Sequence, residues 1–178
     1  QAKIPGLIIC QPFKINDERG FFTESFRKDL FENYLGSKIN FCQENLSNSN
    51  YGVLRGLHFQ IEPFAQSKLV NVLKGKILDV VIDLRKSSKY YGKSYKIELD
   101  DVECKQLFIP KGFAHGFVVL SKTARVCYKV DNYYNQESER GLNYNDPSFK
   151  IDWKIDEKSI ILSEKDKSYP PFDSNYFF

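Results

Sequence analysis

The strongest constraint on the fold of this chain is a succession of short apolar segments with turn residues between them. The segments recur at intervals of roughly 8 to 15 residues, and Gly and Pro interrupt the chain in the gaps. Such spacing is typical of an antiparallel β-sandwich or β-barrel, so the fold class is expected to be all-β. The candidate strands are residues 7–10, 41–46, 54–60, 68–73, 76–84, 95–99, 106–109, 114–120 and 124–130.

Two of the gaps are short enough to predict β-hairpins. Lys74 and Gly75 separate segment 68–73 from segment 76–84. A Pro-Lys-Gly turn follows segment 106–109 and leads into the next strand. Both pairs are therefore expected to be antiparallel neighbours in one sheet.

One segment has a helical period instead. Apolar residues between Phe26 and Leu35 recur on one helical face, and Gly36 is expected to end a short helix there. After Asp131 the pattern becomes looser. Because the chain shows no internal repeat and no linker, we predict a single domain over residues 1–178.

Composition and charge argue against several classes of protein. The formal net charge is only +3 at pH 7, and Lys and Glu are interleaved, which argues against a nucleic-acid partner. No apolar run is as long as a membrane span, and no signal peptide precedes the first strand, so no membrane association is expected. The four cysteines form no Cys-x-x-Cys motif, which favours free thiols in the cytoplasm over a zinc site.

The chain has only two histidines, His58 and His115, and both lie in apolar, strand-like segments. A neutral imidazole suits a general base near pH 7. The alternative for each is a core histidine with a satisfied hydrogen bond, and the functional interpretation of His115 is a ring that hydrogen-bonds a ligand. Two histidines without a cluster of further ligands make a poor metal site, so no metal is expected. Strand alternation would place Leu54, Gly56, His58 and Gln60 on one face and Arg55, Leu57 and Phe59 on the other.

Three further side chains have both a structural and a chemical interpretation. Tyr128 is expected to point inward, either as core packing or as an acid that donates a proton inside a cavity. Lys68 is either an edge lysine in water or a cation that stabilises an oxyanion. Asp83, in an apolar strand, needs a partner, which is either structural or catalytic.

Phosphate binding, if present, must use side chains, because no glycine-rich phosphate loop and no nucleophile elbow occur. Arg19, Arg55 and Arg140 each adjoin a glycine and could bind phosphate oxygens through their guanidinium groups. The alternative for each is an exposed surface arginine.

Taken together, these segments resemble the RmlC-type nucleotide-sugar 3,5-epimerases, which act on dTDP-4-keto-6-deoxyglucose and its relatives. The similarity runs in order over nearly the whole chain. The matching residues are Asp17–Phe22 with Glu24, Gln43 with Asn45, Gly52–Gln60, Gln66 with Lys68, Asp79–Arg85, Ile109–Phe117, Tyr128 with Lys129, Glu139–Gly141 and Leu162–Asp166.

The resemblance implies a cupin-like jelly-roll barrel, a homodimer with strand exchange, and no cofactor. It implies that His58 is the base and that Asp166 holds it. Tyr128 would be the acid on the other side of the sugar ring, and Lys68 would stabilise the enolate. The implied substrate-binding residues are Arg19, which could come from the partner chain, and Phe22, Glu24, Gln43, Asn45, Arg55, His115, Tyr134 and Arg140.

The implied function is epimerisation of C3, C5 or both in a nucleotide-diphospho-4-keto-6-deoxy sugar, hexose or heptose, within deoxysugar biosynthesis for surface polysaccharide. Three alternatives stay open. One is an epimerase that acts at a single centre. The second is a 3,4-ketoisomerase, although the sequence around His58 disfavours it. The third is a sugar-nucleotide-binding module on the same barrel, which would need no acid and base.

Overall fold

The computed structural model describes residues 3–173, and these form two five-stranded antiparallel sheets that pack face to face. The all-β, jelly-roll prediction is confirmed. The first sheet has the order β1 (Ile8–Cys10), β9 (Gln106–Ile109), β6 (Lys68–Lys74), β11 (Thr123–Val130) and β4 (Gln43–Asn50). The second has the order β12 (Glu139–Gly141), β5 (Leu54–Gln60), β10 (Phe113–Val119), β7 (Lys76–Asp83) and β8 (Ser94–Asp100).

The core lies in three layers. Valines and isoleucines of both sheets, such as Val70 and Val126 from the first and Val81 from the second, fill the space between the sheets. A short helix, α1 (Lys28–Leu35), covers the outer face of the first sheet through Phe31. Alternate residues of β7 and β10 pack into apolar clusters on opposite faces of the second sheet. Nearly all of both strands is buried for this reason.

Both hairpin predictions are wrong. Strand β6 lies in the first sheet and β7 in the second, and the same holds for β9 and β10. Each short turn therefore carries the chain across the core and not back along the same sheet. At Gly75, φ is 78°, and a Cβ atom would lie 2.1 Å from the Thr123 carbonyl oxygen, so the crossing is very tight. Alternation identifies a strand, but it does not identify the strand's partner.

The prediction of which β5 residues share a face is also wrong. In the register with β10, His115 pairs with His58 but Phe117 pairs with Arg55, so β5 holds one extra residue. This β-bulge reverses the alternation of side chains along the strand. Both Arg55 and His58 consequently face the cavity between the sheets.

The bulge lies where two glycines meet. Gly56 has a φ of 138°, and a Cβ atom there would lie 2.5 Å from the Cα atom of Gly116 on β10. The outward side of the bulged strand presents Leu54, Leu57 and Phe59 to a second apolar cluster. Glycine at both positions lets the two backbones approach this closely.

Helix α1 is confirmed, and Gly36 ends it in the left-handed conformation with a φ of 73°. The sequence did not predict the β2 (Lys14–Asp17) and β3 (Gly20–Thr23) hairpin, β12, one turn of 3₁₀-helix (Glu157–Ser159), or a second helix, α2 (Glu164–Lys167). These elements are too short to produce a periodic pattern.

The segment after β12 has little regular structure, as predicted, but it is tightly packed. Leu142, Phe149 and Trp153 are buried against the outer face of the second sheet. A parallel bridge between Val53 and Ile161 ties the segment to the start of β5.

Asp83, at the end of β7, accepts hydrogen bonds from Arg85 and Ser88, which supports the structural interpretation of that residue. Within residues 3–173, no helix is long and apolar enough to cross a membrane.

Gly56→Ala is expected to destabilise the fold by about 2 kcal/mol more than Gly36→Ala does. Both changes place alanine at a positive φ, which costs about 1 to 2 kcal/mol, but only at Gly56 does the new methyl group also meet another backbone. The measurement is equilibrium urea unfolding followed by circular dichroism at one protein concentration. Equal losses of unfolding free energy in the two variants would contradict the expectation that the close approach of Gly56 to Gly116 adds to the cost.

Candidate active site

Two adjoining cavities, of about 150 and 450 Å³, open between the sheets. Four residues line both of them: Asn45 on β4, His58 on β5, Lys68 on β6 and Tyr128 on β11. The His58 side chain comes from the second sheet, while the other three come from the first. A molecule bound here would thus have His58 on one side and Lys68 and Tyr128 on the other.

The imidazole of His58 is held by Asp166. Its Nε2 atom lies 2.5 Å from Asp166 Oδ1, although 108 residues separate the two in the chain. The carboxylate is almost sealed from solvent, with 6% of its side chain exposed, whereas 29% of the His58 side chain is exposed. With Nε2 engaged, Nδ1 is left as the nitrogen that can accept a proton.

Asp166 is fixed by the N-terminal turn of α2. The Ser163 hydroxyl donates to Asp166 Oδ2 at 2.8 Å and accepts from the Asp166 amide at 3.1 Å. Burial alone would raise the pKa of Asp166, but the bonds from His58 and Ser163 and the nearby charge outweigh it and lower that pKa. The carboxylate therefore stays ionised and keeps a proton on Nε2 of His58.

Lys68 lies at the floor of both cavities. Its Nζ atom donates to the His58 carbonyl oxygen at 3.5 Å. Burial lowers the pKa of Lys68 to about 8, and the charges of Asp79 and Glu139 oppose this shift. At neutral pH the side chain is an ammonium group in a site of low dielectric constant, where it acts strongly on a developing negative charge.

Tyr128 points into the space between the sheets, as predicted, and packs on the core beside Val126. Burial raises the pKa of its phenol, and the charge of Arg55 partly offsets this. The hydroxyl consequently stays protonated around pH 7 and is a proton donor. It faces His58 from the opposite sheet.

His115 is a buried residue whose ring is already paired. Its Nε2 atom lies 2.9 Å from Asp79 Oδ2, and the Asp79 carboxylate is completely buried. Burial lowers the pKa of His115, which favours the neutral ring. The residue nevertheless lines the larger cavity, so its core role and contact with a ligand are compatible.

The polar rim of the cavities is held together by hydrogen bonds. Gln43 donates from Nε2 to Asn45 at 2.9 Å and accepts from the Tyr134 amide at 3.0 Å. Gln60 accepts from the Asn135 amide at 2.8 Å and so fixes the same loop. Arg55 donates to the Ser49 hydroxyl at 3.2 Å and lines the larger cavity. Side chains of β4 and β5 and the backbone of the loop at residues 134 and 135 are thereby held together around the cavities.

Four predicted substrate-binding residues lie elsewhere in the protomer. Phe22 and Glu24 line a separate groove beside α1, and Arg19 is exposed and pairs with Asp17. Arg140 donates to the backbone carbonyls of residues 137 and 139 and lines neither cavity. Its neighbour on β12 faces the cavity instead, because successive strand residues point to opposite faces.

That neighbour, Glu139, is a site residue that the sequence analysis missed. It accepts a hydrogen bond from the Tyr134 hydroxyl at 2.7 Å and forms an ion pair with Lys165. Burial raises the pKa of Glu139, but Lys165 and Tyr134 lower it further than burial raises it. Glu139 and Lys165 lie in segments that match the family, Glu139–Gly141 and Leu162–Asp166, so the sequence does contain a signal for them.

No group of three or more His, Cys, Asp or Glu side chains within residues 3–173 is placed to hold a metal ion. The expectation of a cofactor-free site stays a prediction. The side chains present include an imidazole with a free nitrogen on one wall and, on the opposite wall, a phenol that can donate a proton and an ammonium group. This set suits removal of a proton next to a carbonyl group and its return on the other face.

Known proteins share this arrangement of sequence and fold. A family model described as dTDP-4-dehydrorhamnose 3,5-epimerase matches residues 1–174. The enzyme of that name from Shigella flexneri is 46% identical over 178 residues, which are 99% of this chain and 97% of that protein.

Two solved structures extend the comparison. The dTDP-4-dehydrorhamnose 3,5-epimerase of Elizabethkingia anophelis superposes with a TM-score of 0.95 at 46% identity, over 99% of this chain and 97% of the other. The RmlC epimerase of Legionella pneumophila, in complex with dTDP-4-keto-L-rhamnose, gives 0.92 at 44% identity, over 96% and 90%. The resemblance seen in the sequence is confirmed: the chain belongs to the dTDP-4-dehydrorhamnose 3,5-epimerase family.

Proposed function

We propose that this protein inverts C3 and C5 of dTDP-4-keto-6-deoxyglucose to give dTDP-4-dehydrorhamnose, in deoxysugar biosynthesis for surface polysaccharide. The observation that carries the proposal is the His58–Asp166 pair, which faces Tyr128 and Lys68 across one cavity. The complex of the Legionella relative with dTDP-4-keto-L-rhamnose supports the choice of nucleotide sugar.

The chemistry follows from the C4 ketone, which acidifies the protons on C3 and C5. His58 Nδ1 removes one of these protons, and the electron pair moves to the ketone oxygen to form an enolate. Asp166 stabilises the imidazolium that results, and the Lys68 ammonium stabilises the enolate oxygen. Tyr128 then gives its proton to the opposite face of the same carbon, which inverts the centre.

Positioning of the substrate lowers the part of the activation barrier that the acid and the base do not remove. General acid–base assistance contributes about 10² to 10⁴ in rate, so oxyanion stabilisation and orientation must supply the rest. Arg55 and His115 in the larger cavity, with Gln43, Asn45 and Tyr134 at the rim, are the residues that we propose hold the nucleotide diphosphate. A guanidinium group such as that of Arg55 binds phosphate oxygens through paired hydrogen bonds.

The proposal includes a homodimer in which the β2–β3 hairpin reaches the partner's site. The hairpin forms a two-stranded sheet of its own, and Phe22 on it is 66% exposed. Beside it lies an apolar groove of about 600 Å³, which Tyr34 of α1 also lines with 81% of its surface exposed. Exposed apolar surface of this extent favours association.

Arg19, Phe22 and Glu24 would then act in the partner's cavity, which accounts for their distance from the cavity of their own protomer. Arg140, which is bound to backbone carbonyls, is proposed to shape the rim through β12. We also propose a cytoplasmic location, because all four cysteines are free thiols and such thiols persist in a reducing compartment.

In heavy water, the protein is expected to place deuterium at both C3 and C5 of dTDP-4-keto-6-deoxyglucose and to release the inverted product, as followed by NMR. The His58→Ala variant should lose this exchange by a factor of about 10² or more, since it lacks the imidazole that removes the proton. Its affinity for dTDP, measured by calorimetry, should stay close to that of the unaltered protein. Binding without exchange by the unaltered protein would favour the binding-module alternative, and exchange at one carbon the single-centre enzyme.

The kcat/KM of the unaltered protein is expected to fall as the pH rises through about 8. Lys68 loses its proton in this range, and the enolate then loses its stabilising charge. Tyr128 does not explain this alkaline limb of the pH profile, because burial raises the pKa of its phenol above the usual range. The check is a pH profile of Lys68→Arg, whose guanidinium stays protonated, so the limb should disappear. An unchanged limb in that variant would assign it to another group.

Mixing Arg19→Ala with His58→Ala is expected to restore activity that neither variant has alone. If Arg19 acts in the partner's cavity, a mixed dimer contains one site with both residues intact. Random exchange of subunits then gives about a quarter of the unaltered activity per site. A mixture of His58→Ala with Tyr128→Phe is the control: both residues line the cavity of their own chain, so each site of a mixed dimer carries one of the two changes and no activity should return. If the Arg19→Ala mixture recovers no more activity than this control once the subunits have exchanged, Arg19 acts in its own cavity.

A further inference from the structure

An aromatic residue that the proposed mechanism does not use lies against the base. The Tyr169 ring is 5.4 Å from the His58 imidazole, centroid to centroid, and the ring planes are inclined by 65°. Tyr169 follows α2 by two residues, so the same chain segment supplies both the carboxylate that holds His58 and this ring. Edge-to-face contacts of this geometry are attractive.

The Tyr169 ring also rests on bare backbone. A Cβ atom at Gly141 would lie 2.4 to 2.5 Å from three carbon atoms of the ring. Gly141 is also the residue of β12 that pairs with His58 in the register with β5. The Asn143 amide donates to the Pro170 carbonyl at 2.8 Å and fixes the backbone next to the ring. Tyr169 is therefore packed against both β12 and the imidazole.

The hydroxyl of Tyr169 has no function that the structure shows. Its oxygen atom is buried and forms no hydrogen bond of normal length, although Lys165 lies nearby. Tyr169 is not among the residues that line the two cavities between the sheets. The ring, and not the hydroxyl, is thus the part of the residue that acts on the site, and it acts through His58.

We propose that Tyr169 is a positioning residue for the base: its ring, supported by Gly141, keeps the His58 imidazole aligned with Asp166. His58 accepts and releases a proton in each inversion, and within residues 3–173 its ring has one hydrogen-bond partner, Asp166. A second contact restricts rotation about the Cβ–Cγ bond and keeps water from the Nε2–carboxylate hydrogen bond. The role in turnover rests on the proposed function, whereas the alignment of the ring does not.

The first test compares Tyr169→Ala with Tyr169→Phe in the deuterium-exchange assay. Tyr169→Ala is expected to lower kcat about tenfold with KM changed by less than twofold, because substrate binding does not involve the ring. Tyr169→Phe keeps the ring and should stay within about twofold of the unaltered kcat. A loss in Tyr169→Phe equal to that in Tyr169→Ala would overturn the proposal, since the hydroxyl would then be the active part.

The second test uses the contact with Gly141. Gly141→Ala should displace the ring and lower kcat about as much as Tyr169→Ala does. In the Tyr169→Ala background, the added methyl group has no ring to meet, so the second change should cost less than twofold. Additive losses in the double variant would overturn the proposal, because Gly141 would then affect the site without Tyr169.

The third test needs no turnover. The chain has only two histidines, so the ¹⁵N spectrum of its imidazoles contains two ring systems, and His115→Asn assigns them. In the unaltered protein, His58 is expected as the Nε2–H tautomer. Tyr169→Ala should shift it toward a mixture of tautomers, and Tyr169→Phe should not. An unchanged tautomer in Tyr169→Ala would overturn the proposal, while absent turnover in the unaltered protein with the expected shift would contradict only the proposed function.

Discussion

The contact between the backbones of Gly56 and Gly116 determines the geometry on which the site depends. It allows β5 to hold one residue more than β10 between the His58–His115 pair and the Arg55–Phe117 pair. The extra residue reverses the alternation, so that Arg55 and His58 both face the cavity while Leu57 packs outward. Without that reversal, His58 and Arg55 would lie on opposite faces of the sheet. The bulge thus converts a buried strand into one wall of an active site.

Buried charge is the second constraint, and the site satisfies it by pairing. Asp166 is bound by His58 and Ser163, and Asp79 by His115. Only Lys68 lacks a carboxylate at hydrogen-bond distance among the contacts seen, and burial accordingly lowers the pKa of its ammonium group to about 8. An anion that develops on the substrate would supply the missing partner. The cost of burying Lys68 in the free protein is therefore recovered, in part, in the transition state.

The segment after β12 has two roles that depend on one another. Its apolar residues, Phe149 and Trp153 among them, cover the outer face of the second sheet. The same segment then turns inward at α2 and presents Asp166 to the base. Because the covering contacts fix its path, a four-residue helix with no stability of its own can hold a carboxylate within 2.5 Å of an imidazole.

The sequence by itself identified nine of the twelve described strands and the end of α1, and its resemblance to a known family singled out His58, Lys68 and Tyr128 as candidates for catalysis. These follow from local patterns and from motifs, which need no knowledge of distant contacts. The tertiary structure alone decided that β6 and β7 belong to different sheets, which way His58 faces, and that Glu139 and Lys165 meet at the rim. Asp166 was assigned through the resemblance, and its own neighbourhood is that of a charged surface residue. Pairing, register and pKa depend on groups that are far apart in the chain, and a period of two along one strand contains no information about them.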